Sequence, residues 1–196
     1  NLDKDKILYV TGGSSRYFNR NWSHPTAGNS ILNYYESMLE FLQKLDQSAL
    51  SILRLRLSPS NDDYGLGVPT FLNKRVKFSN GTFIDELQNS SLIICDHNQT
   101  SFLESLSSNK PTIIFWDSNY TKISKKASFY FDELAKVGVF YNSPREAADC
   151  VNSLVVNNCI SDWWMESSRQ AAITSFILEY AKINDKWVDE YSSLLV

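Results

Sequence analysis

Short apolar runs alternate along this chain with segments in which apolar residues recur at helical spacing. The β-rich runs cover residues 6–11, 50–57, 75–78, 91–95, 112–116 and 139–141. Helical spacing predicts helices over residues 31–45, 83–87, 100–107 and 127–136, and a further helix that begins at Ser143-Pro144. Because the strands are nearly all apolar and are separated by helices, we predict an α/β fold with a doubly wound parallel sheet.

From residue 160 onward the chain is expected to be helical. We therefore divide it into an α/β domain at residues 1–160 and C-terminal helices at residues 161–196 that pack on that domain or cross from it. Trp163 and Trp164 are expected to serve in packing rather than as platforms for a sugar. Residue 1 is Asn and a strand follows within ten residues, so we expect a segment of a longer polypeptide.

Charge and composition indicate which classes of partner, such as nucleic acid, a metal ion or a membrane, this chain is expected to bind. The net charge of -3 provides no field that would gather nucleic acid, so we expect none as a partner. The three cysteines, Cys95, Cys150 and Cys159, lack the paired spacing of zinc sites, and we expect free thiols and no metal. No apolar run approaches the roughly 20 residues that span a bilayer. We expect a soluble cytoplasmic protein, free in the cytoplasm or at the inner face of the membrane.

Several polar segments follow directly after predicted strands. In an open parallel sheet the carboxyl ends of the strands meet at one edge, where loops and helix amino termini can bind a ligand. We expect four segments at that edge, at residues 12–20, 56–67, 96–104 and 116–126.

The segment after the fourth strand carries the clearest pattern. Thr100 and Ser101 are placed at a helix amino terminus, where hydroxyls and backbone amides can hold a phosphate. Glu104, one turn later, has the chemistry to accept two hydrogen bonds from a ribose diol. The alternative is a capped helix that carries an exposed glutamate.

Two arginines and two glycines are further candidates for contact with a phosphate. Arg54 and Arg56 lie two apart on the second strand and would bring a charged guanidinium close to the strand end, where it suits a phosphate or a sugar carboxylate; of the two we favour Arg56. The alternative for this pair is an ion pair with Asp62 or Asp63. Gly12-Gly13 would let the backbone approach a diphosphate, although adjacent glycines lack the spacing of a dinucleotide fingerprint.

Catalytic residues are not identified by any pattern here. His97 and His24 are weak candidates for an acid or a base, and His97 is also a candidate for contact with a phosphate or sugar. Asp117 and the lysines at 122, 125 and 126 follow the fifth strand, where they would reach a donor or form a solvated helix face.

Asp96 to Glu104, followed by Pro111 and the strand at 112–116, resembles the donor-site motif in the C-terminal domain of GT-B glycosyltransferases, which have two facing Rossmann-like domains. It is also similar to the matching stretch of CDP-glycerol glycerophosphotransferases. A wider resemblance extends from Tyr9-Val10-Thr11-Gly12-Gly13 to Trp163-Trp164 and Gln170. This wider resemblance is to the C-terminal part of bacterial surface-polysaccharide transferases found beside lipopolysaccharide genes.

This resemblance implies a Rossmann-like domain that binds a nucleotide sugar, CMP- or UDP-linked, as its substrate, with no cofactor. It also implies a glycan or lipid-linked acceptor and an N-terminal domain of the same chain that supplies the catalytic base, so that this segment alone would be inactive. Two alternatives stay open: transfer of an alditol phosphate from a CDP-alditol, and a nucleotide-binding module without turnover.

Overall fold

The computed structural model describes residues 6–12, 30–57, 76–119, 121–182, 186 and 192–193. Within them, six strands form one parallel sheet in the spatial order β3-β2-β1-β4-β5-β6. The strands are β1 (Ile7–Val10), β2 (Leu53–Arg56), β3 (Lys77–Phe78), β4 (Leu92–Cys95), β5 (Thr112–Phe115) and β6 (Phe140–Tyr141). The predicted parallel α/β sheet is confirmed, and the architecture is Rossmann-like.

Helices cover both faces of the sheet and continue after its last strand. They are α1 (Ser30–Lys44), α2 (Gln47–Ile52), α3 (Phe83–Gln88), α4 (Thr100–Ser107), α5 (Lys125–Lys136), α6 (Pro144–Val156), α7 (Ile160–Trp164) and α8 (Ser167–Tyr180). Alternate strand residues pack into two apolar clusters. One contains Ile7 and Tyr9 with α1, α2 and α6, and the other contains Leu8 and Val10 with α3, α4, α5 and α8.

Several helices begin or end at residue types that commonly occupy helix termini. The side chain of Thr82 accepts a hydrogen bond from the Asp85 N–H at the start of α3. Ser143 caps α6 in the same way, and Pro144 occupies the first turn, where its missing N–H does no harm. Gly138 follows α5 with a φ of 74°, a conformation that glycine adopts without steric cost.

The predicted second strand was too long at its start. Leu50 to Ile52 lie in α2, which begins after Asp46 and ends where Leu53 turns to extended backbone. A short apolar run is compatible with a buried strand or a buried helix, and periodicity alone does not separate them. The strands predicted at 91–95, 112–116 and 139–141 are each one residue shorter, and α5 begins two residues earlier than predicted.

The C-terminal helices share the second cluster. Trp164, Ile173 and Phe176 are buried there beside residues of α4 and α5. The Trp164 ring N–H donates to the Asn109 carbonyl and side-chain oxygens, and the Arg169 guanidinium lies 4.4 Å from the centre of the Trp163 ring. Both tryptophans therefore make packing contacts. Among the described residues, no helix is long and apolar enough to span a membrane.

Candidate functional site

The strand order reverses direction between β1 and β4, which lie side by side at the middle of the sheet. From β1 the chain proceeds to β2 on one side, and from β4 it proceeds to β5 on the other. The connections after the two strands therefore diverge and leave a crevice at the carboxyl edge. Open α/β sheets bind their ligands at such a point.

A cleft of about 240 Å³ lies at this edge. Its lining combines the ends of β1 and β2 with α3, the residues after β4, and α4. The lining residues are Val10, Thr11, Arg56, Leu57, Phe83, His97, Gln99, Thr100, Ser101 and Glu104. The structure thus brings together five of the predicted site residues, Arg56, His97, Thr100, Ser101 and Glu104, from separate parts of the chain.

Other predicted residues lie elsewhere. Arg54 is on the same side of β2 as Arg56, but its guanidinium is directed to the backbone oxygens of Leu53 and Ser51, at 3.0 and 3.4 Å, and it does not line the cleft. Only the last residue of the strand reaches the edge. Lys122 donates to the Ser118 carbonyl oxygen and Lys126 pairs with Glu179. Gly13, His24, Asp62 and Asp63 lie outside the described residues.

The amino terminus of α4 faces the cleft without a side-chain cap. Gln99, at the N-cap position, makes no such hydrogen bond, and the first turn contains no acidic residue. By contrast, Thr82, Ser124 and Ser143 each cap their helix through a side-chain oxygen. The first amides of a helix need acceptors and carry its positive end, so this terminus suits an anion.

Arg56 adds a permanent positive charge to the cleft. One guanidinium nitrogen, Nη1, donates to the Gly81 carbonyl oxygen at 2.5 Å, which holds the half-buried side chain across the edge of the sheet. A guanidinium has five N–H donors, so this bond leaves donor capacity for a phosphate.

His97 forms part of the cleft wall and is 6% exposed. Its Nε2 lies 3.3 Å from the Ser101 hydroxyl oxygen, and its Nδ1 is buried with no hydrogen-bond partner among the described residues. Burial lowers the pKa of His97 to about 4. The ring is therefore neutral near pH 7 and adds no charge to the cleft.

Asp96, which the sequence analysis did not single out, is the centre of a buried polar network. Its Oδ2 accepts from the Tyr9 hydroxyl at 2.6 Å, and its Oδ1 accepts from the Gly12 N–H at 2.9 Å. The Tyr34 hydroxyl lies 3.0 and 3.1 Å from the two carboxylate oxygens. A polar residue directly after a buried strand was the available signal, but its partners lie 62 to 87 residues away.

Burial dominates the electrostatics of this network. It raises the pKa of Asp96 to about 6, although the hydrogen bonds from Tyr9, Gly12 and Tyr34 act in the opposite direction. Burial, and then the nearby carboxylate, raise the pKa of Tyr9 and of Tyr34 well above the usual value for tyrosine. Both hydroxyls therefore stay protonated and act as donors.

Gly12 is buried behind the cleft rather than in its lining. Its N–H already donates to Asp96, so a ligand cannot use that donor without displacing the carboxylate. A Cβ at this position would lie 3.1 Å from the Cβ of His97 and 3.4 Å from the Tyr34 hydroxyl oxygen. Close packing is therefore the reason that the position suits glycine.

Metal ligands do not gather in the described part of the chain, where no group of three or more His, Cys, Asp or Glu side chains could hold an ion. Cys95 is buried, Cys150 and Cys159 are half-buried, and all three are free thiols.

Comparison with known proteins gives one family. The family model described as LIC12162 family transferase matches residues 1–195. No curated protein matches the chain.

Proposed function

This chain belongs to the LIC12162 family of transferases, and on that premise we propose that it binds the nucleotide-sugar donor of a glycosyltransferase. The product would be a bacterial surface polysaccharide or lipopolysaccharide, with a glycan or a lipid-linked sugar as the acceptor. The rest of the catalytic centre, including the base that deprotonates the acceptor, would come from a second domain.

One observation carries the proposal: Arg56 and the uncapped amino terminus of α4 face the same cleft at the point where the strand order reverses. Both features attract a doubly charged group such as a donor diphosphate. Thr100 and Ser101 supply hydroxyls at the same terminus. A phosphate placed there would be held by charge, by the helix dipole and by hydrogen bonds.

Glu104 would hold the ribose. It lies four residues after Thr100 on α4, or about 6 Å along the helix axis, and lines the same cleft. An exposed carboxylate at this distance from the phosphate site can accept hydrogen bonds from both ribose hydroxyls.

The proposed reaction transfers the sugar to an acceptor hydroxyl. The bond between the anomeric carbon and the donor phosphate oxygen breaks, and its electron pair stays with the leaving nucleoside diphosphate or monophosphate. The acceptor oxygen bonds to the anomeric carbon and loses its proton to the base. Arg56 and the amides of α4 would stabilise the negative charge that grows on the leaving phosphate.

Binding of nucleotides to the full-length protein tests this function through Glu104→Gln. Calorimetry with UDP, CMP and CDP should show binding of at least one of them by the wild-type protein. The Gln variant should lose about 1–2 kcal/mol of nucleotide affinity, since neutral oxygens accept more weakly than a carboxylate, with stability changed by no more than about 0.5 kcal/mol.

Glu146→Gln is the matched control, because Glu146 is also an exposed helical glutamate but lies on α6, at the opposite face of the sheet. It should bind nucleotide like the wild type. Wild-type affinity in Glu104→Gln would remove Glu104 from the site. Absence of binding by all three nucleotides would contradict the proposed function, and tighter binding of CDP-glycerol than of any nucleotide sugar would favour alditol-phosphate transfer.

A further inference from the structure

We propose that Asp96 is a positioning residue of the cleft, which holds the Gly12 backbone against the His97 side chain through the hydrogen bond accepted from the Gly12 N–H. The inference rests on the proposed function, because it takes the cleft to be the donor site. Asp96 is not among the residues that line the cleft. It therefore acts on a ligand through its neighbours.

Three separate elements meet at the Asp96 carboxylate. Tyr9 belongs to β1, Gly12 follows the end of that strand, and Tyr34 belongs to α1. Asp96 itself directly follows the neighbouring strand β4. The carboxylate thus ties the two strands at the reversal point to each other and to the helix that covers them.

Within the described part of the chain, the carboxylate is held by neutral donors alone. It is 4% exposed, and no ion pair to a Lys, Arg or His side chain reaches it within the described residues. Burying a carboxylate without a cation is unfavourable, whereas an apolar side chain at this position would avoid that cost. What an apolar side chain would lose is the acceptor for the Gly12 N–H.

Gly12 in turn is in contact with the cleft wall. A Cβ built on Gly12 would lie 3.1 Å from the His97 Cβ, so the backbone passes close to His97 and a side chain at this position would force one of the two to shift. His97 contacts Ser101 on its other side and lines the cleft with it. A displacement of Gly12 would therefore change the space beside His97 and the place of its ring relative to Ser101.

Substitutions at Asp96 separate the effect of the hydrogen bond to the Gly12 N–H from the effect of the negative charge on the carboxylate. Asn can direct its carbonyl oxygen to the Gly12 N–H and its NH₂ group to the tyrosine hydroxyls, which can also accept. We therefore expect Asp96→Asn to keep nucleotide affinity within about twofold of the wild type. Asp96→Ala removes the acceptor, and we expect roughly a tenfold loss of affinity for UDP or CMP, whichever the wild type binds.

Tyr9→Phe is the matched control, because Tyr9 donates to the other carboxylate oxygen and is not among the residues that line the cleft. It should lower the melting temperature and leave nucleotide affinity unchanged. Gly12→Ala tests the same contact without touching Asp96. Its Cβ should push His97 away and weaken nucleotide binding roughly fivefold, although this variant keeps the hydrogen bond between the N–H of residue 12 and Asp96.

Hydrogen exchange at the Gly12 amide, measured by NMR without ligand, distinguishes failure of this inference from failure of the proposed function. The amide should be protected in the wild type, Asp96→Asn and Tyr9→Phe, and lose protection in Asp96→Ala. An exposed Gly12 amide in the wild type, or equal affinities in wild type, Asp96→Ala and Gly12→Ala, would overturn the positioning role. A protected amide in a protein that binds no nucleotide would instead contradict only the donor site.

Discussion

Asp96 and His97 are adjacent and equally buried, yet burial changes their pKa values in opposite directions. It raises the pKa of Asp96 from 3.8 to about 6 and lowers the pKa of His97 from 6.5 to about 4. In both cases burial favours the neutral form. Near pH 5 the folded protein therefore keeps both side chains largely neutral, whereas the unfolded chain ionises both.

The two residues should contribute opposite pH dependences to stability. The Asp96 contribution is present below pH 4 and is lost as pH rises through about 6, because the folded state binds this proton more tightly. The His97 contribution is present above pH 6.5 and is lost as pH falls through about 4. Each amounts to about 3 kcal/mol, so they nearly offset each other in the wild type.

Single substitutions should show how the contribution of each residue to the free energy of unfolding depends on pH. Relative to wild type, Asp96→Asn should lose stability as pH falls from 6.5 to 4, and His97→Gln should gain stability over the same range. Urea unfolding at pH 4, 5, 6 and 7 measures both. Stability curves that run parallel to the wild type in both variants would show that neither pKa is shifted.

At the scale of elements, the N-cap residue of α4 makes no side-chain hydrogen bond, unlike those of α3, α5 and α6. The N-cap residues of α2, α7 and α8 make none either, but of these four amino termini only that of α4 lines the cleft of the described structure. A helix amino terminus that binds a ligand needs free backbone amides. An N-cap residue that stabilises the helix poorly is therefore compatible with a binding site. Stability and binding should then respond in opposite directions when a cap is introduced.

Gln99→Asp supplies the missing cap and a negative charge at the cleft. We expect about 0.5–1 kcal/mol more stability in the free protein, together with at least a tenfold loss of nucleotide affinity, because the carboxylate would take the amides that the phosphate needs. Ser124→Asp, at the already capped α5, is the control and should leave affinity unchanged. A Gln99→Asp variant that binds as the wild type does would argue against a phosphate at α4.

The elements were predictable from sequence to a greater degree than the site. Thr82 and Ser143-Pro144 signal their helices through local chemistry, so the starts of α3 and α6 could be read directly. The start of β2 could not, because Leu50 to Ile52 suit a buried helix equally well. Arg56 lines the cleft and Arg54 does not, since position at the strand end decides which guanidinium reaches the edge, while the role predicted for Arg56 in phosphate binding stays a prediction. The Asp96 network depends on contacts across more than 60 residues, which no local pattern encodes.

At the scale of the whole molecule, the sheet joins its two apolar clusters into one cooperative structure. Neighbouring residues of β1 face opposite clusters, so neither cluster can be lost without disturbing the same strand. Phe176 of α8 is 1% exposed and packs against Phe102, Phe131 and Tyr130. The C-terminal helix is therefore part of the core around the sheet.

Phe176→Ala should lower the free energy of unfolding of the whole domain by about 3–5 kcal/mol, because a large cavity would remain beside α4 and α5. Leu178→Ala, on the same helix but 63% exposed, should change it by no more than about 0.5 kcal/mol. Urea unfolding followed by far-UV circular dichroism and by tryptophan fluorescence should give coincident transitions. A separate early transition confined to Phe176→Ala would show that α8 unfolds independently.

The two outermost strands of the sheet, β3 and β6, contain only two residues each, whereas the four between them contain four. A sheet recruits a foreign strand through the row of unpaired amides and carbonyls at its margin, and a long margin invites association between molecules. Here the strands at both edges of the sheet are short, and the exposed Lys77 lies on one of these edge strands. The described sheet thus offers another chain little to extend, so growth of the ladder from one molecule to the next is discouraged by the lengths of its own strands.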